Sequence, residues 1–308
     1  MFKPVEKDRQ ASALEGRPGH GPVMALIPAY NEQRFIGSVV LAARPHVDKV
    51  VVVDDGSNDG TAEIAESAGA TVLRHEVNQG KAAAVNTGLK HMRRLKPCAV
   101  VLLDGDGQHC AADIPAVLQP IVDGTADVVV GSRFLGVRST IPLHRRAGQH
   151  GLTALTNLAS GVQVSDSQSG FRAFSCAAVE VLSFAQAGFA IESEMQFLVR
   201  EHRLRVLEAP IKVTYAEKAK RSPVRHGIQV TNSILRLAGQ GRPLLVFWLA
   251  GGVAILAALG LALDVVEIYR ASQTIAMARA VLAAALGMVG ALLFILGVVL
   301  HSLRAMLI

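Results

Sequence analysis

Two patterns of hydrophobic residues divide this chain. In the N-terminal part, short apolar runs alternate with longer stretches of mixed polarity. The runs at 23–29, 49–53, 70–74, 99–103 and 126–130 have the length and composition of buried strands. Between them, residues 35–43, the Ala-rich segment that follows Asp59-Gly60-Thr61, and residues 81–94 read as helices. Pro45, Gly69 and Pro97 are placed to end those helices. Further on, 145–160 and 192–202 also suit helices. Strands and helices alternating at this length predict an α/β domain with a largely parallel sheet. No internal repeat or low-complexity tract interrupts it.

The C-terminal pattern is different. Residues 243–263 and 280–300 are uncharged and almost wholly apolar. Each makes a helix of roughly 30 Å, the thickness of a bilayer core. The polar link between them holds Asp264, Glu267, Arg270 and Arg279. The flank 212–242 carries seven basic residues against the single acid Glu217. The positive-inside bias then puts the large N-terminal domain on the cytosolic side, and Arg304 agrees for the C-terminus. The expectation is a multi-pass protein of the cytoplasmic (inner) membrane, with the large N-terminal domain and both termini cytosolic. A pair of buried helices in a large soluble core is the competing reading. Residues 226–242 lead into the first span. Ile228, Ile234, Leu235 and Leu237 give this stretch an apolar side, which suits a helix lying on the membrane or an ordinary surface helix. The resulting organisation is a tail at 1–21, a domain at 22–225, a juxtamembrane segment at 226–242 and a hairpin at 243–308.

Composition narrows this further. The chain is 51% hydrophobic with mean hydropathy +0.36, high for a purely soluble protein. Cys98, Cys110 and Cys176 have no metal-finger spacing, which disfavours a disulfide framework or a zinc site. The net charge is +6, but no aromatic platform accompanies the basic residues, so nucleic acid is not the expected partner.

Two apolar runs stop at carboxylates and glycine: Val53-Asp54-Asp55-Gly56-Ser57 and Leu103-Asp104-Gly105-Asp106-Gly107-Gln108-His109. In open α/β sheets, ligands bind beyond the carboxyl ends of the strands. If the chain stays extended there, Asp104, Asp106 and Gln108 share a face. Such an oxygen set suits Mg2+ or Mn2+ holding phosphates; a solvated acidic turn is the bland alternative. Asp54 and Asp55 can accept hydrogen bonds from a base or ribose, or can serve the turn itself. Lys81 and the amides before it can meet phosphate at a helix start. Arg133, Arg138, Arg145 and Arg146 form a run without an acid, and arginine forks suit phosphate oxygens. Asp166 lies among small polar residues and can orient an acceptor, act as a base or cap its turn.

In order, Ile27-Pro28-Ala29-Tyr30-Asn31-Glu32, Val53-Asp54-Asp55-Gly56-Ser57-Asn58-Asp59-Gly60-Thr61, Asn78-Gln79-Gly80-Lys81, Asp104-Gly105-Asp106-Gly107-Gln108-His109, Gly131-Ser132-Arg133 and Asp166-Ser167-Gln168-Ser169-Gly170-Phe171-Arg172 resemble glycosyltransferase family 2. The likeness is nearest to the dolichyl- or polyprenyl-phosphate sugar synthases. It implies a GT-A fold with a mixed, mostly parallel sheet, a divalent metal and a nucleotide diphosphate sugar linked to UDP or GDP. It places the nucleotide sugar at Pro28, Tyr30, Glu32, Asp54, Asp55, Lys81 and Asp104. Metal and diphosphate fall to Asp104, Asp106 and Gln108, and the acceptor phosphate to Arg133 with Arg145 or Arg146. Asp166 joins Asp104, Asp106 and Arg133 as a candidate catalytic residue. It also implies a basic loop at 215–222 that closes over the donor. The expected activity is inverting transfer of a hexose to a polyprenyl (dolichyl or undecaprenyl) phosphate. A different lipid or glycan acceptor and a noncatalytic nucleotide-binding membrane scaffold are the alternatives, and homo-oligomerisation stays open.

Overall fold

The structure, a computed structural model, describes residues 21–136, 143–185, 191–213, 230–234 and 243–307, with backbone alone at 143–145, 243, 245, 246 and 304–307. Most of the expected tail, the basic loop at 215–222 and most of the juxtamembrane segment 226–242 therefore lie outside the described residues. The chain divides into two compact units, one formed by 1–157 with 162–230 and the other by 158–161 with 231–308.

The first unit is built on β1 (Val23–Ala29), β2 (Lys49–Asp54), β3 (Thr71–Arg74), β4 (Ala99–Leu102), β5 (Val128–Ser132), β6 (Arg172–Ser175) and β7 (Val206–Pro210). They form one seven-stranded sheet in the order β3-β2-β1-β4-β6-β5-β7. β1 lies inside the sheet beside the central β4, with Ala25 opposite Val50 on one side and Val101 on the other. β6 is antiparallel to both of its neighbours, β4 and β5, and every other pairing is parallel. The start of β6 therefore lies at the same edge as the ends of β4 and β5.

β1 is buried along its whole length, as a strand covered on both faces must be. Its side chains alternate: Ala25 and Ile27 enter one core, Met24 and Leu26 the other. The first core is completed by α1 (Ile36–Ala43), α2 (Thr61–Ser67) and α4 (Ile114–Val122), through Ile36, Val40, Ala65, Val117 and Ile121. The second is completed by α3 (Lys81–Arg93), α6 (Cys176–Val181) and α7 (Ile191–Glu201), through Val85, Leu89, Met92, Val179 and Met195. α5 (Leu143–Ser160) precedes β6. The five expected strands match β1 to β5, although β5 begins at Val128, two positions into the expected run, because the Ala126 amide is tied to the Pro120 carbonyl in a turn. The expectations did not include α4, α6, β6 or β7.

The second unit contains α8 (Pro243–Ser272) and α9 (Met277–Leu307). Both helices are long and apolar enough to cross a membrane: 18-residue stretches within 247–272 and 277–303 have mean hydropathies of 2.2 and 2.6. Their mutual approach depends on glycine. A Cβ on Gly251 would stand 2.8 Å from the Gly290 carbonyl oxygen, and one on Gly290 2.9 Å from that of Gly251. Trp248 meets Phe294 edge-on at 5.5 Å. The expected polar link is mostly helical: Asp264, Glu267 and Arg270 belong to α8 and Arg279 to α9. Asp264 and Arg279 form an ion pair across the turn.

Candidate active site

The site is assembled where the parallel strands end. After β1, Asn31 takes a left-handed conformation (φ 54°), and the chain crosses to the loop after β2. The Asn31 amide donates to Ser57 Oγ at 2.9 Å, the Glu32 amide to Thr61 Oγ1 at 2.9 Å, and the Asn58 amide back to Asn31 Oδ1 at 3.0 Å. The two loops form one platform. Tyr30 projects from it, 39% exposed, while Pro28 is buried within β1.

Asp54 and Asp55 are both buried at the end of β2. Asp55 Oδ1 accepts from the Gln79 amide at 2.9 Å and lies 2.7 Å from His75 Nδ1, while Oδ2 accepts from the Gly80 amide at 2.7 Å. His75 is in turn 2.9 Å from Thr87 Oγ1 through Nε2. Asp54 Oδ1 accepts from the Ser57 amide at 3.2 Å, and Oδ2 stands 3.2 Å from Arg74 Nε in an ion pair without hydrogen-bond alignment. Asp55 thus fixes the turn that launches α3, while Asp54 holds its own loop through Ser57.

The turn after β4 is arranged differently. Regular strand ends at Leu102 and residues 104–107 form a turn, with Gly107 at φ 73°. The extended alternation expected for Asp104, Asp106 and Gln108 is therefore not what gathers them. The turn instead sets Asp106 near Asp104, and Gln108 joins them through its backbone amide, which donates to Asp106 Oδ1 at 3.0 Å. Asp104 Oδ1 lies 2.6 Å from Lys81 Nζ. Burial pushes the Asp104 carboxyl up, but the charges of Lys81, His109 and Arg133 outweigh it and hold it below the usual carboxylate range. Asp106 lies above that range, through burial first and the Asp104 charge second. His109 Nδ1 accepts the Asp104 amide at 3.4 Å, and its ring lies 5.2 Å from that of Phe171. Burial lowers the His109 pKa despite the pull of the two aspartates.

Lys81 is not aimed at open solvent from its helix start. Its ammonium bridges Asp104 and, at 2.7 Å, Glu192 Oε1 in the first turn of α7. Desolvation alone would lower its pKa, but the two carboxylates more than reverse that and raise it. Glu192 escaped the sequence reading because acids in a first helical turn are ordinary dipole partners.

On the β5 side, Arg133 grips Asp166 as a fork: Nε donates to Oδ2 and Nη2 to Oδ1, each at 2.6 Å, and the Arg133 amide adds a third bond at 3.2 Å. Asp166 is fully buried. The Arg133 guanidinium lies 5.8 Å from the Phe134 ring, which itself stands 4.3 Å from that of His150 on α5. Exposed Arg146, one turn earlier, has Nε 3.5 Å from His150 Nε2. Contacts thus run from Arg133 to the start of α5. The side chain of Arg145, and all of Arg138, lie outside the described residues.

The segment from Asp166 to β6 brings backbone against the β4 carboxylate. A Cβ on Gly170 would fall 2.5 Å from Asp104 Oδ2 and 3.1 Å from Lys81 Nζ, so only glycine fits there. Buried Arg172 fastens this segment from below, donating to the carbonyls of Ser169 at 2.9 Å and Ser167 at 2.8 Å. Desolvation lowers the Arg172 pKa against the fields of Glu192, Asp166 and Glu208. The motif containing Arg172 was noticed in the sequence; its anchoring role needed the third dimension.

Asp104 and Asp106 are chemically suited to a divalent cation. They are hard oxygen donors two residues apart on one turn, and the Asp104 charge adds to burial in pushing the Asp106 carboxyl up. Among the described residues, no three His, Cys, Asp or Glu side chains form a complete metal cage, so remaining ligands would come from substrate, water or Gln108.

A mixed, mostly parallel sheet covered by helices on both faces, with carboxylates after β4 and an arginine after β5, is the arrangement of a GT-A glycosyltransferase. Residues 24–183 match glycosyl transferase family 2, and the chain belongs to that family. It is 35% identical over 239 residues to the UDP-N-acetylglucosamine–dolichyl-phosphate N-acetylglucosaminyltransferase of Methanococcus voltae, covering 70% of this chain and 95% of that protein. It is 30% identical over 223 residues to the dolichyl-phosphate hexose transferase of Haloferax volcanii, covering 69% and 92%. The crystal structure of Mycobacterium tuberculosis glucosyl-3-phosphoglycerate synthase in complex with Mn2+ and UDP-glucose has a TM-score of 0.60 at 22% identity, covering 78% of this chain and 85% of that one. At that identity it establishes the likeness of fold.

Proposed function

We propose that this glycosyltransferase is membrane-anchored and moves a hexose from a nucleotide diphosphate sugar to a polyprenyl phosphate, with inversion at the anomeric carbon. The observation that carries this reading is the convergence of two phosphate-handling groups at one sheet edge: Asp104 and Asp106 after β4, and the Arg133–Asp166 fork between β5 and β6. The dolichyl-phosphate transferases among its relatives support the acceptor class. The two long apolar helices support the anchor.

In this reading the Tyr30 platform receives the base and ribose. Asp54 and Asp55 act on the nucleotide by fixing the loop beneath it. When bound, Mg2+ or Mn2+ on Asp104 and Asp106, with Gln108 as a further oxygen donor, neutralises the donor diphosphate and stabilises it as a leaving group. Arg133 holds the acceptor phosphate in line with the anomeric carbon, with Arg146 and Arg145 on α5 as additional cations. One phosphate oxygen then forms the bond to that carbon while the bond to the nucleotide diphosphate breaks. The acceptor is already an anion at neutral pH, so no proton has to be taken from it. Both oxygens of Asp166 accept from Arg133, which suits it to orient the guanidinium rather than to act as a base.

The test is an assay of membranes containing the full chain, given polyprenyl phosphate and a panel of labelled nucleotide sugars, followed by lipid extraction. The reading predicts label in a lipid monophosphate sugar, with loss of transfer in Arg133→Ala. Transfer to a diacylglycerol or glycan instead would replace the acceptor, and nucleotide binding without turnover on any acceptor would replace the enzyme reading with that of a scaffold.

A further inference from the structure

Lys81, Asp104 and Glu192 come from three separate elements, the start of α3, the end of β4 and the first turn of α7. Their charged atoms nevertheless meet: Nζ lies 2.6 Å from Asp104 Oδ1 and 2.7 Å from Glu192 Oε1. We propose that Lys81 is a built-in counter-ion that holds the Asp104 carboxylate in the empty enzyme and passes to Glu192 when a divalent cation takes Asp104. Glu192 is then a positioning residue that makes metal entry affordable. This inference rests on the metal reading of Asp104 and Asp106 given above.

The physical argument concerns charge conservation in a partly enclosed space. Asp104 and Asp106 stand two residues apart on the same turn after β4. Without a cation, such a pair would repel and distort the turn after β4. The Lys81 ammonium supplies the missing charge. A divalent cation and an ammonium compete for the same oxygens, because each like charge raises the energy of the other. A lysine that lost Asp104 with no second anion would be stranded in a half-buried site, at a cost of several-fold or more in metal affinity. Glu192 prevents this, since it already touches the ammonium and the lysine need not travel. Gly170 leaves room for this arrangement: a Cβ there would press on both Asp104 Oδ2 and Lys81 Nζ. Once on Glu192, the lysine remains beside the site, placed to meet the phosphates of the donor.

A double-mutant cycle on the intact protein tests the hand-over. The measurement is Mn2+ binding by electron paramagnetic resonance, with Mn2+ alone as the probe, in wild type, Glu192→Gln, Lys81→Met and the double variant. Metal-free thermal melts report whether each variant is folded. Glu192→Gln is nearly isosteric and can still accept from the lysine, so it keeps the test open if Lys81→Met unfolds. The proposal predicts that Glu192→Gln weakens Mn2+ about tenfold in the wild-type background and by less than about twofold once Lys81 is methionine. Lys81→Met alone tightens Mn2+ and lowers the metal-free melting temperature, and Mn2+ restores that temperature. Equal effects of Glu192→Gln in both backgrounds would mean that Glu192 acts only through its own field, and the hand-over is overturned. Should Lys81→Met be unfolded, an unchanged or tighter Mn2+ affinity in Glu192→Gln overturns it just as well. If wild type and Asp104→Asn with Asp106→Asn bind Mn2+ equally, the metal reading itself fails, a result distinct from an absent coupling.

Discussion

The chain offers two carboxylate pairs at strand ends, Asp54-Asp55 after β2 and Asp104-Gly105-Asp106 after β4, that look alike in sequence and differ in their surroundings. Every oxygen of the first pair faces an internal partner: His75, two loop amides, Ser57 and Arg74. The second pair is only partly buried, meets a lysine at Asp104 alone and carries one carboxyl, Asp106, with a raised pKa. In the proposed reading, position at the sheet edge does not decide which acid serves a ligand; the supply of internal donors does. A carboxylate held on both oxygens, as Asp55 is, acts as scaffold, and one with fewer internal donors is suited to recruit a cation.

Substitutions that treat the pairs alike should separate them. The largest effect is expected at the second pair: Asp104→Asn should lower transfer by about a thousandfold while circular dichroism stays native. Asp106→Asn should lower transfer comparably yet raise the metal-free melting temperature slightly, because it removes a charge that the fold disfavours. Asp55→Ala inverts this outcome. It strips a buried acceptor from two amides and a histidine, and should cost about 2–4 kcal/mol in urea unfolding. If Asp55→Ala unfolds no more readily than Asp104→Asn, the contrast between the pairs is wrong.

A change outside both pairs sharpens the comparison. Gly170→Ala puts a methyl group against Asp104 Oδ2 and should cost about 1–3 kcal/mol of packing strain, read as weaker Mn2+ binding with the Asp54–Asp55 side undisturbed. The smallest effect is expected at Asp127, whose pKa is lowered, first by its hydrogen bond from Arg205. Its folded pKa lies below the unfolded one, so its contribution is present above the unfolded value and lost as pH falls through the folded value. Asp127→Asn should cost about 0.5–1 kcal/mol near neutral pH, and the difference from wild type should vanish in acid unfolding curves.

The sequence was most readable where burial on both faces leaves an uninterrupted apolar run. β2 and β4 are such strands, and Val50 to Val53 and Val100 to Leu103 announce them. β6 was hidden because it is four residues long and starts with buried Arg172, a residue type that argues against a core strand until its carbonyl partners are known. β7 was hidden by its half-exposed pattern and terminal proline. Among the candidate residues, Asp104, Asp106, Arg133 and Asp166 do gather at one edge, but their pairing was not legible. Nothing in the spacing says that Asp166 clamps Arg133 across 33 residues or that Glu192 reaches Lys81 across 111. Those contacts depend on β6 running backward between β4 and β5.

Crystals of the full chain grown with Mn2+ and a nucleotide diphosphate, measured at the manganese absorption edge, test the central claim most directly. The account predicts one anomalous peak bonded to Asp104 or Asp106 and to the diphosphate, with Lys81 on Glu192. A peak at Asp54 or Asp55, or ordered diphosphate over the second pair with no peak beside it, would contradict the account.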